Sequence, residues 1–184
     1  MMTKSIQVPL NQKNIILIGF MGAGKTTIGQ LLAEKLGREF LDADQEIERR
    51  HGMPVTEIFK SMGEPVFRQM EKEYLVELCR TSREKVVSLG GGSFMQDEIR
   101  NACLDSGIVY HLDLDWESWL KRFEALIDTR PILQSKSLEE VRALFDSRKL
   151  IYADNHYTVA VDQLSPEEIA ENMARQIREG RERE

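Results

Sequence analysis

The sequence predicts an α/β fold, a parallel β-sheet flanked on both faces by helices. Three observations predict it. Short apolar runs alternate along the chain with stretches of helical periodicity, the pattern of strands joined by crossover helices. The first run, Ile15-Ile16-Leu17-Ile18, is apolar at every position, as a strand buried on both faces of a parallel sheet must be. It leads straight into a glycine loop and then a helical pattern, so ligands are expected at the carboxyl ends of the strands.

Each element follows in order. Residues 1–13 form a short polar lead. The loop Gly19-Phe20-Met21-Gly22-Ala23-Gly24-Lys25-Thr26-Thr27 fits G-x-x-x-x-G-K-[ST], with glycines that let backbone N–H groups surround phosphate oxygens at a helix N-terminus. Ile28, Leu31, Leu32 and Leu36 then recur at helical spacing, and Gly37 supplies a stop. Phe40-Leu41-Asp42 reads as a second strand, and residues 64–80 as a helix with Phe67, Met70, Tyr74, Leu75 and Leu78 largely on one face. Lys85 to Leu89 is a third strand ending at Gly90-Gly91-Gly92, residues 108–112 a fourth, and residues 158–161 a fifth. Ser137 with Glu140, and Ser165 with Glu168, carry the spacing of capping boxes that open helices. The tail from Arg178 is a solvated charge run.

The 184 residues suit one domain, 1–184, with its core at about 14–178. Hydrophobic residues make up 41% and charged residues 30%, and the net charge of −6 argues against nucleic acid or an anionic membrane as partner. An acidic protein that binds a nucleotide must gather arginines locally. The sequence has no apolar stretch of signal-peptide or membrane-span length, so a cytoplasmic protein is expected. Cys79 and Cys103 show neither metal spacing nor a redox pair and are expected as buried thiols. His51, His111 and His156 have no ligand spacing, and Trp116 and Trp119 share a helix face suited to core packing.

The chemistry concentrates at predicted strand ends. Gly22, Ala23, Gly24, Lys25, Thr26 and Thr27 should hold the phosphates, with Lys25 reaching the β- and γ-phosphates and the Thr26 hydroxyl on Mg2+. Asp42 and Asp44, two apart on an extended segment, should point the same way, toward a metal or a hydroxyl; alternatively one caps the following helix. Arg68 and Glu71 are three apart on a helix and within pairing distance. Three consecutive glycines, Gly90 to Gly92, imply that something approaches the main chain closely. Arg130-Pro131 lies in an aperiodic stretch, about 123–136, of a length that suits a lid, and Arg148 follows on a helix.

As a set, and in this order, these motifs resemble shikimate kinases, small P-loop kinases of the nucleoside monophosphate kinase type. The likeness runs from about Asn14 to Val161 and includes Ile58-Phe59, Gly63-Glu64 through Phe67-Arg68, and Arg148 with Tyr152. It implies a five-stranded parallel sheet in the order 2-3-1-4-5 and a monomer with substrate-binding helices at about 44–80. The implied reaction is transfer of the γ-phosphoryl group of ATP, with Mg2+, to the 3-hydroxyl of shikimate. It implies that Asp44 holds the acceptor hydroxyls and Asp42 lies near the metal. Arg68 and Arg148 would grip the acceptor carboxylate, Glu71 would join the acceptor site, and Gly90 to Gly92 would lie against the ring. Phe59, Phe67 and Pro131 would wall the pocket, Arg130 would swing in with the lid, and Arg122 would lie along the adenine. After Arg148 the family usually continues with proline and leucine; this chain has Lys149-Leu150-Ile151 before Tyr152.

A gluconate kinase would share the loop but need no arginine pair for a ring carboxylate. A GTPase switch would carry an Asn-Lys-x-Asp element for guanine, and the sequence has none.

Overall fold

The computed structural model describes residues 12–127 and 136–181. Arg130, Pro131 and most of the expected lid lie outside the described residues; its first five residues, 123–127, are not aperiodic but continue a helix that begins at Trp116.

Five strands form one parallel sheet: β1 (Asn14–Ile18), β2 (Glu39–Asp42), β3 (Lys85–Ser88), β4 (Gly107–Asp113) and β5 (Tyr157–Ala160), in the spatial order β2-β3-β1-β4-β5. This is the implied order. β1 is central and buried along its whole length, which accounts for its unbroken apolar run. β5 begins one residue earlier than the pattern suggests, and Val161 still donates its N–H to the carbonyl of Asp113 just past the strand.

Among the described residues the helices are α1 (Lys25–Leu36), α2 (Ala43–His51), α3 (Val55–Met62), α4 (Glu64–Thr81), α5 (Asp97–Ser106), α6 (Trp116–Ile127), α7 (Leu138–Tyr152) and α8 (Pro166–Arg181). A short 3-10 turn, Ser93–Met95, follows the glycine triplet. Both capping boxes form: Ser137 Oγ accepts from the Glu140 N–H while Glu140 accepts from the Ser137 N–H, and Ser165 with Glu168 repeats the exchange at the start of α8.

The strand order places the site. The chain leaves β1 toward β2 on one side of the sheet and leaves β3 toward β4 on the other. β1 and β3 are neighbours, so a crevice opens between their carboxyl ends. The phosphate loop follows one strand and the glycine triplet the other.

Cys79 on α4 and Cys103 on α5 are buried free thiols, with sulfurs 3.8 Å apart. Their meeting is a consequence of helix packing that sequence spacing does not reveal. Among the described residues no helix is long and apolar enough to cross a membrane.

Candidate active site

Gly24 ends the phosphate loop with φ +89°, left-handed backbone that glycine adopts without strain. The loop is anchored from behind. Phe20 packs edge-on against Trp119 and Phe145, with centroids 5.6 and 5.0 Å away, and the Trp119 indole N–H donates to the carbonyl of Met21 at 3.0 Å. Trp119 is therefore more than core filling: it holds the loop. Lys25 Nζ donates to the carbonyls of Gly19 and Phe20, at 2.7 and 3.2 Å, so its ammonium lies over the loop. Arg122 donates to the carbonyl of Gly22 at 2.9 Å, at the outer edge of the loop.

Asp42 and Asp44 are brought together, but not by strand alternation. Asp42 ends β2 and caps α2, its Oδ1 accepting from the N–H groups of Asp44 and Gln45. Asp44 sits in the first turn of α2. The capping reading of Asp42 and the functional one are compatible, because its other oxygen, Oδ2, accepts from Thr26 Oγ1 at 3.0 Å. Both carboxylates line one cleft with Lys25, Thr26, Gly90 and Gly91.

The three glycines each admit a different side chain. A Cβ on Gly90 would lie 2.8 Å from Asp44 Oδ1, one on Gly91 3.3 Å from Arg148 Nη1, and one on Gly92 2.7 Å from Arg68 Nη2. The triplet is thus the floor on which a carboxylate and two guanidinium groups from three helices converge. The Tyr152 hydroxyl donates to the carbonyl of Gly91 at 2.6 Å and ties that floor to α7.

Arg68 and Glu71 pair as spacing suggests, with Nη1 to Oε2 at 2.8 Å. The pair is no surface contact, because Glu71 is 0% exposed. Its carboxylate also accepts from Ser93 Oγ and, at 2.9 Å, from Gln96 Nε2. Glu71 therefore reaches the site through Arg68. Burial opposes the charge on Arg68, but Glu71 and Glu64 outweigh it and raise its pKa. Phe59 and Phe67 pack beside it, their rings tilted with centroids 4.8 Å apart.

Arg148 is different. It is 7% exposed, it lies 5.6 Å over the ring of Phe20, and no ion pair to it is found among the described residues. Burial lowers its pKa, and the neighbouring Arg68 adds to the effect, while Tyr152, Glu64 and Glu71 oppose it. A buried guanidinium in this position is chemically suited to receive an anion.

Known proteins share this sequence pattern and fold. A family model for shikimate kinase matches residues 21–178. The chain belongs to the shikimate kinase family. It is 51% identical over 173 residues to the shikimate kinase of Bacillus subtilis strain 168, covering 94% of this chain and 93% of the relative. It is 51% identical over 178 residues to that of Geobacillus thermodenitrificans, covering 96% and 95%. The structure of shikimate kinase from Acinetobacter baumannii in complex with shikimate superimposes with a TM-score of 0.83 at 38% identity, over 92% of this chain and 95% of that one. Membership makes this chain an enzyme, a kinase with the P-loop fold.

Sequence reasoning did not find Ser93 and Gln96, which stand 22 and 25 positions from Glu71. No spacing rule links residues so far apart. A small polar residue directly after the triplet was the one available signal.

Proposed function

We propose that this site transfers the γ-phosphoryl group of ATP to the 3-hydroxyl of shikimate, giving shikimate 3-phosphate for aromatic amino acid biosynthesis. One observation carries the choice of an acid as acceptor: the buried guanidinium of Arg148, which has no ion pair among the described residues, and the half-buried Arg68 converge over Gly91 and Gly92. A neutral polyol needs no such pair, whereas a carboxylate fits it two-pronged; the choice of a ring acid over an open-chain acid such as gluconate rests on the family. The family membership and the relative bound to shikimate support the same acceptor.

In this reading Gly22 to Thr27 cradle the phosphates and Lys25 offsets charge on the transferring group. Asp44 orients the acceptor hydroxyl, and Phe59 and Phe67 wall the ring. Glu71 holds Arg68 in place. Thr26 and Asp42 offer two hard oxygens side by side, a fit for Mg2+, which keeps few protein ligands and shares phosphate oxygens. When bound, the ion would offset phosphate charge. Arg130, Pro131 and the lid at about 123–136 complete the reading on the resemblance alone, as does Arg122 beside the adenine. The acidic balance supports a partner that is a small molecule rather than nucleic acid, and the reading takes the protein as a cytoplasmic monomer.

The test is ADP release with shikimate, gluconate, nucleoside monophosphates and no acceptor. Shikimate alone should drive turnover. Arg148→Lys should raise KM for shikimate by roughly tenfold, the loss of a charge-assisted contact of about 1.5–3 kcal/mol, and leave KM for ATP near wild type. Turnover with gluconate equal to that with shikimate would defeat the reading.

A further inference from the structure

Arg68 carries two carboxylates, and they are held very differently. Glu71 is fully buried, and its oxygens receive Arg68 Nη1, Ser93 Oγ and Gln96 Nε2. Three donors from α4 and the turn after the triplet fix it, and it cannot leave without stranding a buried charge. Glu64 engages the other edge of the same guanidinium. Its Oε1 accepts from Arg68 Nε at 3.2 Å and from Nη2 at 3.1 Å. The Glu64 side chain is 61% exposed, and among the described residues it has no other hydrogen-bond partner. An exposed pair one helical turn apart is weak and easily broken.

The edge that Glu64 covers matters. Nη2 is the Arg68 atom nearest to Gly92, 2.7 Å from where a Cβ would stand. An anion settling over Gly91 and Gly92 between the two arginines meets that nitrogen already engaged. The charge of Glu64 is also felt at Arg148, so one exposed carboxylate acts on both guanidinium groups.

We propose that Glu64 is a resident carboxylate that occupies the Nη2 edge of Arg68 and must yield it when an acceptor acid binds, so that its charge sets the affinity for that acid. The inference rests on the acceptor reading above. Glu71 fixes the arginine, and Glu64 keeps its working edge aligned with a contact weak enough to displace. Displacement and repulsion between the two carboxylates together weaken acceptor binding. A Glu64 that merely supports the first turn of α4 would leave acceptor affinity unchanged.

The experiment is calorimetric titration of shikimate into wild type, Glu64→Gln and Glu64→Asp, with ADP-release kinetics and thermal melts on each. Glu64→Gln should tighten Kd and lower KM for shikimate by about three- to fivefold, the scale of an exposed ion pair. KM for ATP should hold, and kcat should move less than KM. Glu64→Asp keeps the charge on a shorter stem and should shift Kd less than Glu64→Gln. Unchanged or weaker binding in a folded Glu64→Gln protein overturns the proposal, and so does equal tightening in both variants. Wild type that binds no shikimate defeats the acceptor reading beneath it. Wild type that binds shikimate while Glu64→Gln gains nothing defeats the role of Glu64 alone.

Discussion

The hydroxyl of Thr26 donates to Oδ2 of Asp42 at 3.0 Å, joining the first turn of α1 to the end of β2. The other oxygen of Asp42 is committed to capping α2, so the two functions divide one carboxylate between them. Asparagine caps helices as well as aspartate does. Asp42→Asn should therefore keep the fold while removing negative charge from the proposed metal position. We expect the Mg2+ concentration for half-maximal activity to rise by roughly tenfold or more, the scale of a lost metal-site interaction. Thr26→Val should do the same. Activity measured across a Mg2+ titration checks this, and an unchanged requirement in both variants would take Asp42 out of the metal site.

The tie between Tyr152 and Gly91 suggests a second expectation. Burial pushes the Tyr152 hydroxyl up to about 12, so it stays protonated and donates throughout the working range. Tyr152→Phe leaves the partly buried Gly91 carbonyl short of a donor and frees the triplet from α7, the helix that also carries Arg148. We expect a stability loss of about 1 kcal/mol, typical of one hydrogen bond, with a few-fold rise in KM for shikimate and none for ATP. Urea melts and steady-state kinetics separate the two effects. A stability loss with unchanged KM would make the bond purely structural.

Much of this site is legible in the sequence because several local signals agree there. The apolar flank of β1, the glycines of the loop and the periodicity of α1 all specify the same strand-loop-helix unit. The spacing of Arg68 and Glu71 predicts their pairing, because three residues on a helix is a local rule. Their burial is not local. It comes from α5 and the turn before it closing over α4, which brings Ser93 and Gln96 onto Glu71. The same packing makes neighbours of Cys79 and Cys103. Trp119 reads as core from its periodicity, and only the tertiary fold aims its N–H at Met21. The Asp42 and Asp44 pair was expected for the wrong geometric reason, since the strand ends between them and the helix turn redirects the second carboxylate.

His111 predicts a pH response. It is buried on β4 beside Tyr152, with ring centroids 5.2 Å apart. Burial lowers its pKa below 6.5, and Lys149 and Lys25 add to that while Asp113 opposes it. The folded protein therefore holds it neutral where the unfolded chain takes up a proton. Stability should be fully present above pH 6.5 and fall as pH drops from there toward the lower folded value, by at most about 1.4 kcal/mol per pH unit crossed. Carboxylates add their own acid dependence, so the readout is a difference. His111→Gln should show a shallower loss of Tm than wild type on going from neutral to mildly acidic buffer, and equal slopes would remove His111 as the cause.

The glycine triplet offers the sharpest test, because one change made at three adjacent positions should give three kinetic signatures. An added methyl group at Gly90 would press on Asp44, at Gly91 on Arg148, and at Gly92 on Arg68. None of the three has positive φ, so alanine meets no backbone strain there. The contacts at Gly90 and Gly92, at 2.8 and 2.7 Å, are too short to stand, and the side-chain ends must move. The contact at Gly91, at 3.3 Å, needs only a small adjustment. Gly90→Ala should lower kcat most, by about 10²-fold if Asp44 positions the reacting hydroxyl, with KM for ATP held. Gly92→Ala should raise KM for shikimate by roughly tenfold through Arg68 and change kcat less. Gly91→Ala should be the mildest. Steady-state kinetics on the three proteins, each shown folded by melting, reads this directly. The same pattern in all three would mean that the triplet is one deformable loop, and that its glycines do not serve Asp44, Arg148 and Arg68 one by one.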